Sequence, residues 1–106
     1  PNKECLVCFF QRAETNGAME NWNSAVLDYL STWRIIKKGN YNDETKATAL
    51  LSLGYAFSKI NNLDYACYFL NEAVKFKSTK AKEYIDKLCN KGEKVLEKEP
   101  EIQTHF

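Results

Sequence analysis

Leu50-Leu51-Ser52-Leu53-Gly54-Tyr55-Ala56-Phe57, resumed after the polar break Asn61-Asn62 by Ala66-Cys67-Tyr68-Phe69-Leu70-Asn71-Glu72-Ala73, places apolar residues at helical spacing on both sides of a short turn. The small residues Gly54, Ala66 and Ala73 fall on the faces that two such helices would turn toward each other. A glycine inside a helix costs about 0.5–1 kcal/mol relative to alanine. It is tolerated where a neighbouring helix crosses so closely that a β-carbon would clash, so the three small residues predict one tight crossing.

The same periodicity extends outward in both directions. Leu6, Phe9, Phe10 and Ala13 mark a first helix over about 3–15, ended at Thr15-Asn16-Gly17-Ala18 with Gly17 supplying the left-handed backbone of a helix stop. A second helix runs over about 21–38 through Trp22, Ala25, Val26, Tyr29, Leu30, Trp33 and Ile36. Lys37 and Lys38 stand at its C-terminal end, where the helix dipole favours cations, and Gly39 follows. Asp43 is the expected cap of a third helix over 44–60, and Asn62 or Asp64 that of a fourth, ending near Phe76. Ser78 and Thr79 open a fifth over 79–98, with Ala81, Tyr84, Ile85, Leu88, Cys89, Val95 and Leu96 on its apolar stripe and Gly92 as a weak point. Residues 101–106 read as a frayed tail.

Composition agrees with an all-α domain. Within 106 residues there are only 4 Gly and 2 Pro, so little interrupts helices. A hydrophobic share of 44% excludes disorder as the rule, and a chain of this length can bury roughly two-thirds of its unfolded surface. With 15 basic and 14 acidic residues, no charge excess draws the domain to nucleic acid or an anionic membrane. No apolar run is long enough to insert in a membrane, and Pro1-Asn2-Lys3-Glu4 lacks a signal-peptide profile, so a soluble domain is expected.

The segment 45–78 resembles the tetratricopeptide (TPR) repeat family. Leu53-Gly54 matches the family's Leu-Gly pair, Leu50 stands for its Trp and Phe57 for its Tyr, and Ala66, Leu70 and Ala73 keep the second-helix pattern. The Pro that often ends the unit is Ser78 here. Asn21-Trp22-Asn23-Ser24-Ala25 parallels Asn62-Leu63-Asp64-Tyr65-Ala66, a recurrence at 41 residues (21 to 62) where TPR units recur at about 34. The first hairpin, 3–38, is therefore a degenerate repeat. The resemblance implies a right-handed superhelix of two hairpins, 3–38 and 44–77, closed by a capping helix at 79–98, all one domain over 1–100.

It further implies a binding role, with no catalysis. In such arrays the first helix of each hairpin lines a concave groove, and the sides of helices one and three turned away from the core carry Val7, Gln11 and Glu14, and Thr48, Leu51, Ser52, Tyr55 and Lys59. These are the expected contacts for a peptide or helix of another protein. The Lys and Asn clamp with which one TPR subtype grips chaperone tails is not matched, since Val7, Gln11, Thr48 and Ser52 occupy those positions. A self-associating segment, or one packing on further repeats of a larger protein, is the alternative.

Residues able to do chemistry are sparse. The single histidine, His105, lies on the tail, and no nucleophile motif or phosphate loop is present, so no enzyme and no cofactor are expected. Cys5-Leu6-Val7-Cys8 invites a zinc or redox reading, yet Cys67 and Cys89 are isolated and no strand precedes the pair. All four cysteines are expected to pack as small buried thiols, with no metal bound, in a reducing, cytoplasmic compartment.

Overall fold

The computed structural model describes residues 5–102, and these form α1 (Leu6–Ala18), α2 (Trp22–Lys38), α3 (Asp43–Lys59), α4 (Leu63–Lys75) and α5 (Thr79–Leu88). No strand occurs among the described residues. The connections Met19-Glu20-Asn21 and Ile60-Asn61-Asn62 are too short for anything but a reversal, so α1/α2 and α3/α4 are helical hairpins. α2 packs on α3, α4 on α5, and α3 touches α5 as well. The start of the first helix at 3 and the tail at 103–106, with His105, lie outside the described residues.

Caps fix where the helices begin. Asn42, not Asp43, accepts the Thr45 N–H at 2.8 Å, Asn62 accepts that of Tyr65 at 3.2 Å, and Ser78 accepts that of Ala81 at 3.1 Å. Left-handed residues end α1, α3 and α4: Glu20, Asn61 and Lys77 have φ of 60°, 63° and 74°. Gly17 is therefore not the stop expected of it. It lies inside α1, where a β-carbon would sit 3.0 Å from Cζ3 of Trp22.

The central crossing is as tight as the small residues predict. A β-carbon on Gly54 would fall 2.8 Å from Cγ of Leu70, 3.0 Å from its Cδ2 and 3.1 Å from the carbonyl oxygen of Ala66. Leu53, Ala66, Phe69, Leu70 and Ala73 are wholly buried around it, and the Phe57 and Phe69 rings stack 5.7 Å apart. Three methyl-sized or smaller residues let two helix backbones approach, and larger side chains seal the sides.

Two expectations are corrected at the C-terminal end. α5 stops at Leu88, ten residues short of the expected end at 98, because Cys89 is extended (ψ 167°) and bonded to Cys67, and because Asn90 (φ 66°) and Gly92 (φ 103°) are left-handed. Val95 is 80% exposed, so it belongs to no apolar stripe. Residues 89–102 form a strap instead. The Lys94 N–H meets Asp64 at 2.6 Å, Glu99 accepts from Trp33 Nε1 at 3.4 Å and Lys37 Nζ at 2.6 Å, and the Ile102 carbonyl accepts from Arg34 at 2.8 Å. Ile102 packs against the core, so 101–102 are not frayed.

The cysteines are corrected too. They form two disulfides, Cys5–Cys8 and Cys67–Cys89. Cys67 and Cys89 are buried as expected, but as a bond between α4 and the strap, and Cys8 is exposed. Spacing along the chain could not show that α4 and the end of α5 bring two sulfurs together across 22 residues.

Candidate functional site

α1 and α3 face each other across a trough, and its two ends share Glu14. The larger end, about 820 Å³, is floored by Leu6, Phe10, Ile36 and Ala49 and edged by Val7, Gln11 and Thr48. The smaller, about 400 Å³, is lined by Leu51, Ser52, Tyr55, Trp22, Tyr84 and Lys80. Seven of the eight residues expected to contact a partner thus line one or the other end, and Lys59 lies beside the second, its Nζ 5.4 Å from the Tyr55 ring and 5.9 Å from that of Trp22.

The two ends differ in chemistry. At the larger, apolar side chains mix with threonine hydroxyls, and Val7 is 60% exposed although it is aliphatic. At the smaller, aromatic rings form a relay across three helices: Trp22 of α2 meets Tyr55 of α3 edge-on at 5.6 Å, and Tyr55 meets Tyr84 of α5 at 5.2 Å. Tyr55 is accordingly half spent on internal packing, and Lys59 over two rings is a cation–π contact worth about 0.5–1 kcal/mol at an exposed site.

Between the ends, Tyr29 donates its phenol hydrogen to Glu14 at 2.7 Å. Burial, and then the bond to Glu14, push the Tyr29 phenol far above its usual range, while Ser52 opposes the shift. The pair ties α1 to α2 and fixes the carboxylate where the two depressions meet. Glu14 is thus both a trough residue and a support of the hairpin.

Sequence reasoning missed the clamp behind α1. Asp28 is 4% exposed and accepts Arg12 Nε at 2.9 Å, Arg12 Nη2 at 2.8 Å and Asn16 Nδ2 at 3.3 Å, while Thr32 bonds its backbone carbonyl at 2.9 Å. The two-pronged bond holds the Arg12 guanidinium in its charged form, first through the hydrogen bond to Asp28 and then through its charge. One signal was available: Asp28 and Thr32 interrupt the α2 stripe Ala25, Tyr29, Trp33, Ile36 at positions that helical geometry buries. Arg12, on another helix, offered none.

Only one group of potential metal ligands comes together among the described residues, Cys67, Cys89 and Glu93. Its two sulfurs are bonded to each other, and the Glu93 carboxylate already accepts the N–H groups of Asn90 and Lys91 at 2.6 and 2.8 Å. Those backbone bonds hold Glu93 below the usual carboxylate range. The donors are committed elsewhere, which leaves a metal no ligand set here. No helix among the described residues is long and apolar enough to cross a membrane.

Comparison of the chain with protein-family models, with characterised proteins and with solved structures finds no match in any of the three.

Proposed function

We propose that the domain is a TPR-like interaction module without catalytic activity, an adaptor or assembly factor that holds a peptide or helix of a partner protein in the trough between α1 and α3. The observation that carries this reading is the trough itself: about 820 Å³ of mostly apolar lining at its larger end, running past Glu14 to an aromatic end. A helix laid into a groove is recognised through apolar anchors spaced along it, with polar contacts at the edges. Leu6, Phe10 and Ala49 supply the floor for such anchors, and Gln11, Glu14 and Thr48 the edge. The tight Gly54 crossing and the degenerate first hairpin support the TPR-like assignment.

The test is a peptide-library selection against the whole chain, followed by affinity measurement on the selected sequence. Val7→Glu with Thr48→Lys is expected to weaken binding at least tenfold at unchanged thermal midpoint, and Tyr55→Ala with Lys59→Glu to weaken it less. Binding untouched by both pairs removes the trough from the account. The exposed Val7 favours one second reading, self-association through the same face. A mass that rises with concentration, and falls back to monomer in Val7→Glu, selects that reading over a separate ligand.

A further inference from the structure

The Cys5–Cys8 and Cys67–Cys89 disulfides differ in the properties that govern thiol exchange. An attacking thiolate must reach a sulfur, and the electron pair it displaces must be accommodated on the other. Cys67 and Cys89 are each 4% exposed, sealed between α4 and the strap. Cys8 is exposed at the start of α1, and Cys5 is the cap of that helix, its sulfur accepting the Cys8 N–H at 3.2 Å. When the bond opens, negative charge on Cys5 meets that donor and the positive end of a helix of 13 residues.

The ring closed between Cys5 and Cys8 spans a sequence separation of 3, against 22 for the other pair. It removes little chain entropy. α1 is anchored independently by Arg12–Asp28 and Tyr29–Glu14, so the bond opens without unhitching the helix.

We propose that Cys5–Cys8 is an exchange-active disulfide that oxidises a dithiol, two neighbouring cysteine thiols on a peptide or protein segment. A substrate thiolate attacks Sγ of Cys8; the Cys5–Cys8 bond breaks, its electron pair leaves on Sγ of Cys5, and a mixed disulfide forms. The substrate's second thiolate then attacks its own sulfur in that mixed disulfide and releases Cys8. The substrate loses two electrons and two protons, which the Cys5 and Cys8 sulfurs take up as thiols. The exchange is stoichiometric, one turn for each disulfide, and does not depend on what the trough holds.

The first test uses the oxidised whole chain and dithiothreitol at limiting concentration, with alkylation at timed intervals and peptide mass analysis. Cys5 and Cys8 are expected to be alkylated at least tenfold faster than Cys67 and Cys89. Equal rates, or Cys67 and Cys89 first, overturn the proposal. The second uses a reduced synthetic peptide bearing two cysteines: wild type is expected to oxidise it at least tenfold faster than Cys5→Ser/Cys8→Ser, whose helical circular dichroism verifies its fold. A rate unchanged in that folded variant overturns the assignment. Should the variant not fold, the alkylation order in the wild type decides alone.

Discussion

The two hairpins solve the same problem by different chemistry. α3 and α4 are pressed together at Gly54, where the nearest atoms are two Leu70 carbons and the Ala66 carbonyl oxygen, whereas α1 and α2 are joined by a carboxylate that Arg12 and Asn16 clamp from the neighbouring helix. α4 of the second hairpin is also tied to the strap by Cys67–Cys89, across a sequence separation of 22; the first hairpin has only the local Cys5–Cys8 ring. The difference teaches where each is vulnerable. A close-packed crossing fails when volume is added, and a polar clamp fails when a partner is removed.

The largest effect is expected at the crossing. Gly54→Val should destabilise the domain by about 3 kcal/mol or more, since the β-carbon alone meets a branch-point carbon and a backbone oxygen, neither of which can swing away. Gly17→Ala provides the contrast in the first hairpin: its β-carbon meets only the Trp22 ring, so a cost of about 1 kcal/mol or less is expected in the same urea titration. Equal costs at the two glycines would erase the distinction.

Next comes the long-range cross-link. Replacing both Cys67 and Cys89 by Ser should cost about 3 kcal/mol by the loop-entropy relation, and replacing both Cys5 and Cys8 about half of that or less, read as a difference in urea midpoints. A reversed order would place the tighter constraint on the wrong hairpin.

The clamp should show an asymmetry. Arg12→Ala leaves the Asp28 carboxylate buried with Asn16 as its remaining side-chain donor and is expected to cost about 2 kcal/mol, below the range for fully buried pairs because Arg12 is largely in water. Asp28→Asn keeps the shape and returns Arg12 to solvent, so about 1 kcal/mol is expected. Should Asp28→Asn prove the costlier, the carboxylate and not its desolvation is what matters.

The smallest effect is one of pH. The folded-state pKa of Tyr29 is raised above the unfolded value near 10, so the folded protein binds more protons there and stability falls as pH rises above about 10. Below that value the contribution is fully present. In Tyr29→Phe this part of the alkaline loss should vanish, leaving a shallower slope between about pH 10 and 11 in thermal unfolding. An identical slope in the variant would assign the loss to other groups.

What the sequence disclosed was what local chemistry writes into it. The stripes of α2, α3 and α4 and the Gly54 crossing follow from spacing and from small residues in otherwise large-residue runs, and the start of α4 at Asn62, one of the two caps expected there, and of α5 at Ser78 from the polar residues before them. The edge residues Val7, Gln11, Glu14, Thr48, Leu51, Ser52 and Tyr55 were legible for the same reason, since they remain on α1 and α3 once the core faces are taken, whereas Leu6, Phe10 and Ile36 were read as core and Trp22, Lys80 and Tyr84 come from α2 and α5. Arg12–Asp28 was not, because a charge on one helix carries no mark of its partner on another. Cys67–Cys89 was hidden likewise, and with it the end of α5: without the bond, Cys89 to Leu96 keeps helical periodicity through Gly92. The left-handed residue after α1 proved to be Glu20 and not Gly17, which lies inside α1 against the Trp22 ring.

The strap has a consequence for how the molecule comes apart. Stacked helical hairpins ordinarily touch only their neighbours in sequence, so such arrays can melt progressively from one end. Here Glu99 and Ile102 return to Trp33, Lys37 and Arg34. The last described residues thereby depend on the first hairpin, and the first hairpin on them, which makes a closed circuit of a linear stack. A single concerted unfolding transition is therefore expected, read as coincident melts by circular dichroism and by tryptophan fluorescence.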